Sequence, residues 1–447
     1  MFQYKNSHPV LCLTILLALV MSLCLNQASV RASSFSRSDS PNNPTEWLDA
    51  FTWQKVVAPD GTPKDGFGYS AAISDDGSTA AVGTYYTEFG STFPIGPGAV
   101  YVFINDAGTW VLQQKLPTPP MPESDVFGFS VALSADGSTA LVGAQGDFGP
   151  PDTEVPGAAF VFTRSEGVWS QQAMLTASDR QVGDHFGVSV ALSDSGDTAL
   201  IGAYVDDVGE NIQQGSAYVY QRSGSVWTEQ AHLTSSDGAA EDYFGRSVAL
   251  SSDGNMALIG ADFKVINGNT RQGAAYIFTR AGAVWSQQTR LTDINGGEYN
   301  WFGAAAALSA DGRTALIGTR EIGAIVFTAS GDLWTQQDLL TIPDVSLSFG
   351  DNIALSADGR TALLEDGYTF RRCGNTWLEG TRLQTDEDPF PYGFGLAVSL
   401  SGDGTIALIG APYATVGNNQ KQGAAYFFPI ETTPCTEISV YLPLIVQ

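Results

Sequence analysis

The chain has 447 residues, with 21 Lys and Arg against 47 Asp and Glu, a formal charge of −26, 43 % apolar residues and 49 glycines. So acidic a surface repels phosphate backbones and excludes nucleic-acid binding, while the apolar fraction suffices for a large core. Its only histidines are His8, His185 and His232, too few for a three-histidine metal centre once His8 leaves with an export signal.

In chain order, Lys5 precedes an apolar run over 10–25, and the flank turns polar and serine-rich, with small-residue cleavage sites at Ala28 and Ala32. This predicts a secretory signal over 1–32 rather than a spanning helix. Leu23 occupies the position where a lipid-anchor motif at Cys24 would need a small residue. Residues 33–46, SSFSRSDSPNNPTE, read as a disordered leader.

From there a repeat governs the chain. Phe-Gly heads seven similar units, at Phe67, Phe127, Phe186, Phe244, Phe302, Phe349 and Phe394. Each unit holds four short runs rich in β-branched and aromatic residues, the first two joined by an S-x-D-G turn such as Ser134-Ala135-Asp136-Gly137. Asp-Gly between such runs is a hairpin signal, because glycine accepts the positive φ required there. Tryptophan segments, mostly W-x-x-Q-x-x-L, start at Trp53, Trp110, Trp169, Trp227, Trp285, Trp334 and Trp377. Heads and tails are offset by one, so residues 53–59 are predicted to supply the outer strand of the unit begun at Phe394. The predicted fold is all-β, a seven-bladed β-propeller of four-stranded blades over 47–430, with the ring closed by an N-terminal outer strand. Five residues after each Phe stands a small residue, Ala72, Ala132, Ala191, Ala249, Ala307, Ala354 or Ser399, as crowding of inner strands near the axis requires. The Phe and Trp rings are read as filling between blades.

These Phe-Gly units resemble the FG-GAP repeat family, the propeller of integrin α-subunits and of many exported bacterial proteins. A literal Gly-Ala-Pro occurs once, at Gly410-Ala411-Pro412. The resemblance bears on fold more than on function, since propellers host many activities. The calcium that integrin-type propellers hold in extended acidic loops does not carry over, because the corresponding S-x-D-G turns hold too few oxygens for a hard cation.

After the propeller comes a tail, 431–447, with a short apolar run over 438–446 that reads as a docking strand or as a sorting or attachment signal. Once Cys12 and Cys24 leave with the signal, Cys373 and Cys435 remain, and an even pair in an exported chain predicts one disulfide, here clipping the tail to blade six.

Strand order puts the 1–2 and 3–4 turns on one face and the 2–3 and 4–1 connections on the other. The 2–3 loops are long at 85–97, 145–156, 204–214, 262–272 and 412–422, and short in units five and six. The loop face is therefore expected to carry a notch, with Asp262, Arg271, Tyr299 and Trp301 on one side and Tyr392 and Tyr413 opposite as ligand-binding candidates. Asp206, Asp207 and Glu210 form the best metal-ligand cluster, with calcium the ion considered; no other cofactor is indicated. Asp65, Asp125, Asp184 and Asp242 each precede a Phe-Gly by two residues and are read as turn caps. His185 sits where other units carry Gly, Val, Tyr, Trp or Ser, which predicts an exposed rim side chain. His232 falls in an outer strand, and no triad partner is recognisable for either histidine.

The resulting expectation is a secreted or cell-surface, non-catalytic module recognising an extracellular protein or glycan through the loop face. The alternatives are a glycosidase-like enzyme using paired notch carboxylates, and a structural envelope component.

Overall fold

The computed structural model describes residues 53–85, 98–119, 126–146, 156–320, 323–342, 352–385, 393–431 and 435. The signal, the leader, most of the tail, Phe349, Asp125, Tyr392 and the middles of the first two long loops fall outside these residues. Seven sheets of four antiparallel strands form a ring. Blade one comprises Phe67–Ile73, Thr79–Thr84, Ala99–Asp106 and Thr109–Lys115. Blades two to six span 130–175, 190–233, 248–291, 306–341 and 353–379. Blade seven takes its three inner strands from 397–429 and its outer strand from Gln54–Val56, which pairs antiparallel with Ala424–Pro429 in the register Lys55 to Tyr426. The predicted closure of the ring by the start of the repeat region is thus observed. Among the described residues the sole helix is the turn Glu365–Gly367, and no helix is long and apolar enough to cross a membrane.

The core lies between blades. Phe67, Phe127, Phe186, Phe244 and Phe302 are fully buried. Phe244, for example, meets Tyr276 and Phe278 of its own third strand edge-on at 5.5 and 6.0 Å. Each such ring contributes about 2 kcal/mol through burial. The glycine that follows is needed for close approach: at Gly245, with φ +91°, a Cβ would lie 2.1 Å from the Ser216 carbonyl of the preceding blade. Tryptophan and glutamine join neighbouring outer strands, since the indole N–H groups of Trp169, Trp227, Trp285 and Trp334 donate to Gln113, Gln172, Gln230 and Gln288 of the preceding blade.

The S-x-D-G turns are built alike. In the first, Thr79 N–H donates to Ser74 Oγ, and Asp76 accepts from the Ser74 hydroxyl and from Ser78 N–H. Successive turns then join. Asp76, Ala135, Asp194, Ser252, Ala310 and Ala357 each donate a backbone N–H to the corresponding turn of the next blade, and Gly402 donates to Asp75. These seven bonds, 2.9–3.1 Å long, close a circle around the axis.

Candidate functional site

On the opposite face, each 4–1 connection whose end is described delivers one residue immediately before its Phe in a left-handed conformation. Among the described residues these are Gly66, Val126, His185, Tyr243, Trp301 and Gly393. Glycine adopts that backbone freely, whereas a bulky residue costs about 1–3 kcal/mol. Three consecutive blades nevertheless present His185, Tyr243 and Trp301 there, and the residues that follow the second strands, Tyr204 and Phe263, insert between them. The rings form a continuous run: His185 to Tyr204 at 5.4 Å, Tyr204 to Tyr243 at 5.4 Å, Tyr243 to Phe263 at 4.4 Å and Phe263 to Trp301 at 4.8 Å. Arginines stand over the run: Arg246 on Tyr204 at 5.2 Å, Arg271 on Phe263 at 4.3 Å and Arg320 on Trp301 at 4.2 Å. Each contact contributes about 0.5–1 kcal/mol where exposed.

The run walls a cleft of about 250 Å³ between Tyr204, Tyr243, Phe263 and Trp301, with Gln213, Arg246 and Asp262 supplying polar groups. The Trp301 indole N–H, buried in this wall, has no acceptor among the described residues. Burial, followed by the nearby Arg246 charge, pushes the His185 imidazole down to about 4, so the ring is neutral at physiological pH. Burial likewise raises Tyr204 and Tyr243, which keep their protons.

Of the six predicted ligand-binding residues, Asp262, Arg271, Tyr299 and Trp301 come together here: Arg271 lies over Tyr299 at 6.0 Å and over Trp301 at 5.8 Å as well as over Phe263. Tyr413 sits on a separate blade-seven loop beneath Lys421, and Tyr392 lies outside the described residues. The cleft is displaced from the predicted notch toward blades three and four, and Tyr204, Tyr243, Arg246, Phe263 and Arg320 were not singled out by sequence. The available signal was the variable position before each Phe. Read as a solvent-facing site, it instead folds inward over the seam: His185, expected on an exposed rim, is only 3 % exposed. The short 2–3 connections of blades five and six are observed, running from Thr319 to Gly323 and from Leu364 to Tyr368. The long loops of blades three, four and seven share one architecture, in which Asn211, Asn269 and Asn419 donate to Gln214, Gln272 and Gln422.

Asp65, Asp184 and Asp242 accept backbone N–H bonds from Thr62, Gln181 and Ala239, consistent with turn capping. The expected metal cluster is not assembled as predicted. Glu210 is exposed, Asp207 accepts Gln213 N–H, and Asp206 turns inward to 2 % exposure to meet Ser216, Tyr218 and His232. His232, for which sequence offered no triad partner, has Ser216 Oγ 2.7 Å from Nε2 and Asp179 Oδ2 3.5 Å from Nδ1. This is a Ser-His-Asp order without an accessible nucleophile, because Ser216 is fully buried and donates to Asp206. Cys373, at the end of the third strand of blade six, is paired with Cys435, with Cα atoms 5.6 Å apart.

A seven-bladed propeller with a recessed aromatic cleft on its loop face is the class of protein that fold and site define. Residues 52–103, 110–162, 169–220 and 227–278 match the FG-GAP repeat model, each match running from an outer strand across the seam into the next blade. The protein is an FG-GAP-repeat β-propeller. Comparison of the sequence with curated proteins returns no match. Among solved structures, the chain is similar to one in the crystal structure of the mitotic checkpoint complex, at 13 % identity and TM-score 0.52, covering 90 % of this chain and 99 % of that one. It is also similar to the Cps50 (Swd1) β-propeller domain of Myceliophteria thermophila, at 12 % identity and TM-score 0.52 over 86 % and 99 %. A third likeness is to the periplasmic gluconolactonase PpgL of Pseudomonas aeruginosa, at 17 % identity and TM-score 0.50 over 70 % and 84 %. At these identities the likeness concerns the fold.

Proposed function

We propose that this propeller is an exported binding module, secreted or held at the cell surface, whose loop-face cleft takes an extracellular glycan. The observation that carries the reading is the unbroken run of rings from His185 to Trp301 interleaved with arginines. Aromatic faces suit the C–H faces of sugar rings, and Gln213, Asp262 and the Trp301 indole N–H suit hydroxyl groups. Three arginines gathered on a chain of charge −26 favour a glycan bearing carboxylate or sulfate groups. The apolar segment over 10–25 and the Cys373–Cys435 pair support export. A protein ligand would be held through the same anchors.

Glycosidase chemistry needs two carboxylates flanking the scissile bond. Asp262 is the one carboxylate among the described residues lining the cleft, which supports binding over turnover. The test is a glycan and surface-protein array with the purified chain, run with and without EDTA, beside a turnover assay on the retained glycans. Arg271→Gly and Tyr299→Ala are expected to lower retention at least tenfold with the melting temperature unchanged. Loss of fold in these variants would make the loops structural, turnover would make the protein an enzyme, and an empty array would leave the envelope-component reading.

A further inference from the structure

We infer that the rim of blade three holds a divalent transition-metal ion between Asp179, Asp206 and His232. Each of these residues offers a ligand atom, and the three atoms lie within 4.8 Å of one another. They come from separate elements: the connection after blade two, the 2–3 loop of blade three, and its outer strand Val226–Leu233.

The next blade shows what such a position contains when it is filled by the chain itself. One repeat later, Asp179, Asp184, Asp206, Tyr218 and His232 are replaced by Asp237, Asp242, Lys264, Tyr276 and Arg290. The tyrosine–aspartate pair is kept: Tyr218 donates to Asp179 and Tyr276 donates to Asp237, both at 2.8 Å. In blade four the Lys264 ammonium, buried at 4 % exposure, lies 2.7 Å from Asp242 and 3.8 Å from Asp237, and Arg290 pairs with Asp237. Two cations there balance two carboxylates. In blade three the lysine has become Asp206, itself 2 % exposed, so three carboxylates face a single histidine. A buried carboxylate needs a compensating cation; where blade four supplies a lysine and an arginine, this seam has only His232, 3.5 Å from Asp206 and from Asp179.

Ligand chemistry selects the ion. One imidazole nitrogen with carboxylate oxygens suits Zn2+ or a neighbouring first-row ion, whereas Ca2+ and Mg2+ prefer all-oxygen sets. Zinc bonds of about 2.0–2.2 Å draw ligands to about 3.3–3.5 Å apart. One imidazole nitrogen serves the ion: Nδ1 lies 3.5 Å from Asp179 Oδ2 and Nε2 lies 3.5 Å from Asp206 Oδ2, so either choice starts with one carboxylate oxygen at that separation and draws the other in from within 4.8 Å. Closure needs a shift of about 1 Å, which the side-chain exposures of 48 % at Asp179 and 31 % at His232 permit, and solvent completes the coordination.

The test is calorimetric titration of EDTA-stripped full chain with ZnCl2 in excess CaCl2 and MgCl2, together with melting curves. One equivalent of Zn2+ is expected to bind, raising the melting temperature by several degrees at saturation. Asp206→Asn and His232→Ala should each weaken binding at least tenfold, and Asp207→Asn should leave it unchanged. The double variant Asp206→Lys with His232→Arg, which copies blade four, should fold without zinc and bind none. No Zn2+ uptake by the parent chain, or uptake that survives in the folded double variant, overturns the assignment.

Discussion

The turn face and the loop face of this propeller are made by opposite ends of the same strands, yet they use the repeat differently. On the turn face, each Ser-x-Asp-Gly turn, and Ser193-Asp194-Ser195-Gly196 in blade three, satisfies itself and then bonds to its neighbour, so that seven local solutions add up to one backbone circle. On the loop face the backbone also repeats, down to the Asn–Gln bonds of three 2–3 loops, but the side chains set on it differ from blade to blade. The contrast teaches where the molecule holds its shape and where it is free to specialise. A ring closed by backbone hydrogen bonds tolerates little change, while bulky residues in left-handed positions beside a cleft are retained against their own conformational preference.

Four measurements sharpen or break that contrast. The largest effect is expected at Gly254 on the turn face. Its φ is +63°, and an added Cβ would lie 2.7 Å from Thr198 Oγ1 of the preceding blade. Gly254→Ala should therefore cost about 2–4 kcal/mol in chemical denaturation, the sum of left-handed strain and overpacking.

The second concerns the floor of the loop face. His185 has its imidazole pushed down to about 4 by burial and then by Arg246, against about 6.5 in the unfolded chain. Between these values the unfolded state binds the extra proton, so stability falls as pH drops from 6.5 to 4, by up to about 3 kcal/mol. His185→Asn, which tolerates the left-handed backbone, should flatten the slope in that window. An unchanged slope would mean that the loop face is as loosely held as its sequence variability implies.

The third is a gain. Asp75 in the turn circle is pushed up to about 6 by burial, and then by the charges of Asp194 and Asp76. Its ionised form is disfavoured in the fold, so the penalty is present above pH 6 and disappears as pH falls toward 4. Asp75→Asn should stabilise the protein by about 1–2 kcal/mol at pH 8 and by nothing at pH 4. The smallest effect is expected for Arg271→Gly. Arg271 has φ +53°, glycine relieves that strain, and stability should change by less than about 0.5 kcal/mol. Ligand retention is the quantity that should fall.

The architecture was readable because it is periodic. Phe-Gly, S-x-D-G and the tryptophan segments each encode a local backbone requirement, and their sevenfold recurrence fixes blade number, closure and which loops share a face. Asp262, Arg271, Tyr299 and Trp301 were legible as a group because the 2–3 loop of blade four and the connection into blade five share one face. Tyr204, Tyr243 and Arg246 belong to the same cleft but sit earlier in the chain, just after the second strand of blade three and at the entry to blade four. Asp179 follows the outer strand of blade two and His232 lies within that of blade three, and linear spacing does not reveal which side of a seam each residue faces.

Sequence by itself determined the ring, since hairpin turns, close-approach glycines and interblade aromatics are demands that a single unit states and every copy repeats. Tertiary structure alone decided what the rim contains. Repeat-equivalent positions become neighbours only after the blades pack, and the left-handed residues His185, Tyr243 and Trp301 turn their side chains inward over the seam. There the burial and charge of the adjoining blade set its role, bringing rings and arginines into one cleft and leaving Asp206 where blade four has a lysine.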